Sequence, residues 1–233
     1  MDMRTNRLIE IDALRGLAVA CMIVFHAAVD AQLLGFFSFD PAGWPLIVLV
    51  RAVQFLFLGL VGVSVYLSGR GVGEQVGRGL KVFLCGMVVT LATWVVFPDE
   101  YVRFGVLQCI GLSIPVVALF KKRPVVALAV AAAVFGLGEW FLSFTVETPW
   151  LLWLGPHRAD FVSLDYFPLL PWMAVPLVGL FVGSILYAER QPTALAGLGH
   201  LPGLSFLGRH ALAVYLLHQP VLYFTLWAFS HWL

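Results

Sequence analysis

Charged residues are scarce in this sequence. Lys and Arg number 14 and Asp and Glu 13 among 233 residues, so that 12% are charged, whereas 61% are hydrophobic and the mean hydropathy is +0.94. A soluble domain usually carries about 25% charged and about 45–50% apolar residues. The surplus of apolar side chains argues against a soluble domain and predicts contact with lipid. The net charge of +1 also argues against a nucleic-acid partner, which requires many cations to displace its counterions.

Cysteine and lysine are also rare. The cysteines are Cys21, Cys85 and Cys109, all in apolar stretches without CxxC or metal-ligand spacing. They are predicted to be small packing residues, with no disulfide framework and no metal site. The lysines are Lys81, Lys121 and Lys122. None lies in the middle of the last apolar stretch, which argues against a retinal protein. The segment before the first apolar stretch mixes acids and bases, so we expect no cleaved signal peptide.

Seven stretches are apolar enough to cross a membrane as helices, which takes roughly 20 residues each. They are 13–34, 46–68, 79–97, 104–120, 124–143, 167–187 and 209–229. The predicted fold is an all-α, polytopic membrane helix bundle of about seven transmembrane helices, with residues 1–233 forming one domain. In the sixth stretch, the four-residue spacing of Gly179 and Gly183 predicts close packing against a neighbouring helix.

The orientation follows from the cations between these stretches, because cytoplasmic loops are enriched in Lys and Arg. One side holds Arg4, Arg7, Arg15, Arg70, Arg78, Lys81, Lys121, Lys122, Arg123, Arg190 and Arg209. The other side holds only Arg103 and Arg158, and Arg51 lies in the second stretch. We therefore predict a cytoplasmic N-terminus and an external C-terminus. The external loop 144–166 is either an interfacial aromatic belt or part of an acceptor site.

Several ionisable residues lie inside or at the ends of the predicted spans. They are Asp12, Arg15, His26, Asp30, Arg51, Glu139, Arg209, His210 and His218. An ionisable group in the hydrocarbon region costs a few kcal/mol even on lenient scales, and such residues usually have a function. Glu139 has no evident partner in the sequence, and its role is open. His210, His200 and His231 lie near the predicted membrane edges and are expected to be interfacial.

The first helix carries its polar residues along one face. With Asp12 as zero, Arg15 lies at about −60°, His26 at about −40° and Asp30 at about 0°. Arg15 and His26 are separated by roughly 17 Å along the axis. This arrangement suggests a long anionic ligand that enters from the cytosol and has its reactive end near His26. Asp30, one turn further, is expected to hydrogen-bond the imidazole, either to activate it or as a structural pair.

A second histidine is predicted at a similar depth. His218 lies roughly 13 Å from Arg209 along the last helix, and so within about 5–7 Å of the depth of His26. Pro220 removes a helical hydrogen bond, which can leave the Leu216 carbonyl as an acceptor near His218. His218 is therefore either a second reactive group or a core histidine beside a kink.

Four blocks in the sequence resemble a known family. They are RLIEIDALRGLAVACMIVFHAAVD, RFGVLQCIGLS, DYFPLLPWMAVPLVGLFVG and LSFLGRHALAVYLLHQPVL. In this order they resemble the bacterial and archaeal membrane proteins grouped with the heparan-alpha-glucosaminide N-acetyltransferase catalytic domain, within the wider transmembrane acyltransferase superfamily. That superfamily also carries an arginine, ten residues and a histidine on its first helix, a spacing that Arg15 and His26 match.

The resemblance implies transfer of an acyl group, usually acetyl, from cytosolic acyl-CoA to a hydroxyl or amine of an extracytoplasmic glycan or glycolipid, in the cytoplasmic membrane of a prokaryote. Catalysis is expected from His26, His218 and Asp30. Donor contacts are expected from Arg15, Asp12, Arg78, Lys81 and Arg209. Substrate contacts are expected from Arg51, Gln108, Asp165, Tyr215 and Gln219. The loop after the first helix lacks the histidine of the lysosomal enzyme, so the lysosomal substrate is not implied.

Other functions are compatible with the same residues. A haem held between His26 and His218 would use them as axial ligands, although the chain offers only one such pair. A transporter, a proton pathway or a non-catalytic membrane partner could use the same polar face. The acceptor, the acyl length and the oligomeric state stay open, a homodimer being one arrangement that the sequence allows.

Overall fold

A computed structural model describes residues 8–41, 43–189 and 191–232. Arg4, Arg7 and Arg190 lie outside the described residues, as does the side chain of His200. The α-helices are α1 Ile9–Leu33, α2 Leu46–Leu67, α3 Val72–Val96, α4 Val106–Leu119, α5 Pro124–Leu142, α6 Leu169–Trp172, α7 Ala174–Leu186, α8 Pro202–Arg209 and α9 Ala211–Ser230. Short 3₁₀ helices cover Pro149–Leu151 and Ala194–His200.

These helices confirm the all-α, polytopic membrane fold. Among the described residues, six helical segments are long and apolar enough to cross a membrane, and α4 is a shorter apolar helix. Many large apolar side chains on them are exposed, for example Val24, Val95 and Val125 at 69%, 74% and 70%. Exposed apolar surface of this extent is typical of contact with a membrane. A count of seven spans stays a prediction.

The described residues fall into two compact units. The first is Met1–Phe57 with Arg190–Leu233, and the second is Leu58–Glu189. In the first unit, α1 packs against α8 and α9. A side chain at Gly16 would overlap the Leu204 carbonyl oxygen, and one at Gly208 would overlap the Asp12 carbonyl oxygen. Glycine at both positions therefore lets the backbones of α1 and α8 touch.

In the second unit, α3 pairs with α4, and α5 packs against α6 and α7. Close packing at the predicted glycine spacing is confirmed, because a side chain at Gly179 would overlap the Gly59 carbonyl oxygen. Gly183 lies against Val63. The same device recurs between α3 and α4, where a side chain at Gly79 would overlap the Gly111 carbonyl oxygen.

One predicted boundary in the second unit was wrong, and the start of another predicted span is irregular. Helix α3 begins at Val72 rather than at residue 79, with the Glu74 carboxylate accepting a hydrogen bond from the Gly71 N–H at 2.9 Å. The sixth predicted span corresponds to Leu169–Leu186, but its start is irregular because Leu170, inside α6, is extended, with φ −102° and ψ 123°. Pro171 explains this, since a residue before proline is disfavoured in the helical region.

The last predicted span, 209–229, corresponds to α9 except for its first two residues. Arg209 ends α8, and α9 begins at Ala211 after His210, whose φ of −106° and ψ of 18° depart from helical values. The distance predicted between Arg209 and His218 assumed one continuous helix, whereas the two residues lie on different helices, and the distance itself stays a prediction. The break follows Gly208, where α8 is held directly against α1.

Candidate functional site

A three-residue hydrogen-bond chain connects α1 with α9. Nδ1 of His26 lies 2.8 Å from Oε1 of Gln219. Nε2 of Gln219 donates to both carboxylate oxygens of Asp30, at 2.8 and 3.0 Å. Asp30 is 4% exposed and His26 is half-buried. The amide of Gln219 thus bridges the carboxylate and the imidazole.

This chain sets the proton positions on the histidine. Gln219 places its amide nitrogen on Asp30 and its amide oxygen on His26, the arrangement that an ionised Asp30 requires because a carboxylate only accepts hydrogen bonds. The His26 Nδ1 must then carry the proton. In the neutral ring, Nε2 is left with its lone pair, which is the tautomer required of a base or a nucleophile acting through Nε2.

His218 lies directly beside His26. The ring centroids are 5.0 Å apart and the planes meet at 72°. Nδ1 of His218 lies 2.7 Å from the Tyr215 carbonyl oxygen, so it too carries a proton. Its Nε2 is buried and has no hydrogen-bond partner among the described residues. A buried polar atom without a partner is costly, and here it marks a point at which a ligand could bind.

Three details differ from the sequence-based expectations or add to them. Asp30 reaches His26 through Gln219 rather than directly, because the amide lies between the two side chains. His26 and His218, for which only a similar depth was predicted, have their rings in direct contact, because α1 and α9 pack together. The carbonyl that accepts from His218 belongs to Tyr215 rather than to Leu216, because Nδ1 of the ring reaches back three residues on its own helix.

The cytoplasmic end predicted for α1 is also tied together by polar contacts. Nη1 of Arg15 donates to the Asp12 carboxylate at 3.0 Å and to the Gly208 carbonyl at 3.3 Å, and the side chain is 21% exposed. Buried Glu10 accepts from the backbone N–H and the hydroxyl of Thr193, at 2.9 and 3.0 Å. Sequence reasoning missed Glu10, because the first span was predicted to begin after it.

The other residues expected to bind the donor are distributed over both units. Arg209 is an exposed residue of α8, with Nε donating to the Ser205 carbonyl at 3.1 Å. Arg78 and Lys81 lie on α3 in the second unit, half-buried and exposed respectively. Within the first unit, Arg15 contacts Gly208, the neighbour of Arg209 in sequence. The roles of all these cations in donor binding stay predictions.

The residues expected to contact the substrate have varied surroundings. Gln219 belongs to the chain with His26, and Tyr215 supplies the carbonyl to His218. Arg51 is exposed and donates to Gln54 at 3.2 Å. The roles of these three residues in substrate binding stay predictions.

Gln108 and Asp165 hold the start of α4. Gln108 accepts from the Gly105 N–H at 3.0 Å and donates to the Thr90 hydroxyl at 2.7 Å. Asp165 accepts from the Val106 N–H at 3.0 Å. Acceptors at this position satisfy N–H groups that lack a partner within the helix. These contacts support a structural role for both side chains.

Comparison with known proteins gives one match. The family model described as heparan-alpha-glucosaminide N-acetyltransferase, catalytic, matches residues 7–220. Comparisons with curated proteins and with solved structures give no match. Because the matched segment covers most of the chain and includes α1, α8 and α9 up to Pro220, the protein belongs to the heparan-alpha-glucosaminide N-acetyltransferase catalytic-domain family of membrane acetyltransferases.

Proposed function

We propose that this protein transfers an acyl group, most simply acetyl, from cytosolic acyl-CoA to a hydroxyl or amine of an extracytoplasmic glycan, glycolipid or related acceptor. Membership of an acetyltransferase family supports the class of reaction. The observation that carries the proposal is the chain from Asp30 through Gln219 to Nδ1 of His26, because it leaves Nε2 of a membrane-embedded imidazole free to react. The cytoplasmic membrane of a prokaryote is the proposed location.

Donor binding is proposed at the end of α1 that carries Arg15. CoA is rich in phosphate, and a guanidinium binds phosphate through a planar fork that an ammonium cannot reproduce. The contact with Asp12 fixes one edge of the Arg15 side chain. Arg209, Arg78 and Lys81 are proposed to add positive charge on the same side of the membrane.

The proposed chemistry is direct transfer. Nε2 of His26 removes the proton from the acceptor hydroxyl or amine as its oxygen or nitrogen attacks the thioester carbonyl. The bond between the carbonyl carbon and sulfur breaks, and the CoA thiolate leaves and takes up the proton that Nε2 of His26 removed from the acceptor, which restores the neutral imidazole. The buried Nε2 of His218 accepts a hydrogen bond from the acceptor when neutral, or donates one to the leaving group when protonated. Because one proton leaves the acceptor and one reaches the thiolate, no covalent enzyme intermediate is required.

The test uses purified full-length protein and acetyl-CoA carrying a labelled acetyl group. Saturable binding of acetyl-CoA, with release of CoA that depends on an added sugar or amine acceptor, is the expected result. Arg15→Ala should raise the dissociation constant of acetyl-CoA and have little effect on Tm. Arg123 is an exposed arginine at the start of α5, and Arg123→Ala is the matched control, which should change neither quantity.

Two outcomes would overturn the proposal. Absence of acetyl-CoA binding would favour a transporter or a non-catalytic partner, and a pigmented preparation with a haem absorption band would favour the redox alternative. An acetylated His26, trapped with donor in the absence of acceptor, would overturn direct transfer in favour of a covalent route.

A further inference from the structure

A pocket of about 280 Å³ lies in the second unit, within the loop 144–166 and next to Arg103. Its walls include Arg103, Thr148, His157, Arg158, Asp160 and Phe161, so that two arginines and one aspartate line it. Ligand pockets for small molecules begin at about 300 Å³. At about 280 Å³ the pocket lies just below this lower limit, so it has room for at most one small molecule and none for a peptide.

Hydrogen bonds hold the pocket in a defined shape. The Tyr166 hydroxyl donates to the carbonyls of Leu152 and Gly155, at 2.7 and 2.9 Å. The Ser163 hydroxyl lies 3.0 Å from the Tyr101 carbonyl and accepts from the Arg103 N–H at 3.3 Å. Burial raises the pKa of Tyr166, so its proton stays in place throughout the physiological range. A loop fixed in this way can present side chains to a ligand without first being ordered, which lowers the cost of binding.

The two arginines of the pocket differ in their partners. Arg158 pairs with Asp160 at 2.9 Å and with Glu147 at 3.6 Å, and its hydrogen bond holds the pKa of Asp160 below the usual range. Arg103 makes no ion pair within the described part of the chain. The only hydrogen-bond acceptor of its side chain there is the Asp99 carbonyl at 3.4 Å, and its Nε is buried without a partner. Arg103 is thus the arginine of the pocket without a direct ion pair there, although the Asp160 carboxylate still acts on it at longer range.

The remaining walls suit a polyol. The His157 and Phe161 rings stack with centroids 5.0 Å apart and planes at 29°, and the Arg103 guanidinium lies 5.5 Å from the Phe161 centroid. Nδ1 of His157 donates to the Arg158 carbonyl at 2.8 Å, which leaves Nε2 as an acceptor in the neutral ring. The Thr148 hydroxyl adds a second polar contact. Flat apolar faces beside a donor and an acceptor match the alternating surfaces of a sugar ring.

We propose that this pocket binds a sugar-sized polyol carrying one anionic group, a carboxylate or a phosphate, with the anion on Arg103 and the ring against Phe161 and His157. A guanidinium binds either anion through two parallel hydrogen bonds. The proposal concerns binding alone. If the pocket does not bind such a sugar, the proposed acyl transfer is unaffected, and if acyl transfer is disproved, binding in this pocket is unaffected.

The test measures binding of D-glucuronate, glucose 6-phosphate and D-glucose to detergent-solubilised full-length protein, by calorimetry or saturation-transfer NMR. At least one anionic sugar should bind about tenfold more tightly than glucose, in line with a hydrogen bond to a charged group. Binding of only one of the two supports the proposal and identifies the anion. Equal affinity for glucose, or binding of neither anionic sugar, overturns it, and this comparison requires no variant.

Variants test the assignment to residues. Arg103→Gln should weaken the anionic sugar about tenfold and leave glucose unchanged, because only the charge-assisted contact is lost. Arg103→Lys should retain part of the affinity for the anionic sugar, because it keeps the positive charge. If Arg103→Gln does not fold, Arg103→Lys is the variant that is measured. Arg123→Gln, which alters an exposed arginine at the start of α5, is the matched control. Wild-type affinity in a folded Arg103→Gln protein would overturn the site.

Discussion

Two glutamines, one in each unit, use the same functional group differently. Gln219 bridges two ionisable side chains, Asp30 and His26. Gln108 bridges a backbone N–H and the Thr90 hydroxyl, neither of which changes charge near neutral pH. Gln108 is 2% exposed and Gln219 is half-buried, and both lie on apolar helices. Burial in a membrane helix therefore does not by itself distinguish a reactive site from a structural contact.

The distinction lies in what the amide leaves available. The Gln108 contacts satisfy the start of α4, and both polar atoms of the amide are engaged there. The Gln219 contacts fix one tautomer of His26, beside a second imidazole whose Nε2 has no partner among the described residues. A polar cluster that holds an unsatisfied titratable atom is a candidate for chemistry, and the following experiments test this difference.

The largest effect is expected from the histidines. His26→Ala and His218→Ala should each lower turnover by about 10²–10⁴, the usual contribution of a general acid or base, while acetyl-CoA still binds. Turnover of labelled acetyl-CoA and its dissociation constant are measured on the same preparations. Full turnover in both variants would remove the first unit's polar cluster from catalysis.

Gly208→Ala should lower the free energy of unfolding by about 3 kcal/mol, the upper part of the usual range for overpacking. The added methyl group would overlap the Asp12 carbonyl, which is backbone and cannot rotate away. Gly77→Ala on α3 is the matched control, because nothing lies within 4 Å of its new side chain. That change should stabilise by about 0.5–1 kcal/mol through helix propensity. Denaturant or thermal unfolding in detergent measures the stability of both variants. Equal Tm shifts in the two variants would contradict the close approach of α1 and α8.

Gln219→Leu should lower turnover by about tenfold to a hundredfold, less than loss of the histidine itself, because the base remains but is no longer oriented. Asp30→Asn should have a smaller effect in the same direction. Both variants should alter the pH dependence of turnover and leave acetyl-CoA affinity unchanged, which a purely structural role would not do. An unchanged pH profile with reduced Tm would assign Gln219 to packing, as for Gln108.

Gln108→Leu should cost about 1–3 kcal/mol of stability, because the Gly105 N–H and the Thr90 hydroxyl lose their partner. Gln75→Leu on α3 is a sharp control. Gln75 is 1% exposed, yet neither of its amide atoms has a partner among the described residues. Replacing an unpaired amide by an apolar group of similar size should be neutral or stabilising. The Tm values of the two variants are compared with that of the wild type. A similar decrease of Tm in both variants would contradict the role assigned to Gln108.

The sequence predicted the fold class and much of the candidate site. Apolar length alone indicates spanning helices, because lipid requires each segment to satisfy its own backbone. The helical period placed Asp12, Arg15, His26 and Asp30 on one face, and the close packing at Gly179 followed from its spacing. Breaks at Leu170 and His210 were missed, although Pro171 is a local signal for the first of them.

What the sequence alone determined was which residues are too polar for lipid and on which helices they lie, since both follow from composition and local periodicity. Only the tertiary structure decided their partners. Gln219 is 193 residues from His26 and 189 from Asp30, and its amide lies between them because α1 packs against α9. The Arg15 contact with Gly208 likewise depends on glycines that let two backbones touch. Such pairings are set by packing between distant segments, which no local pattern specifies.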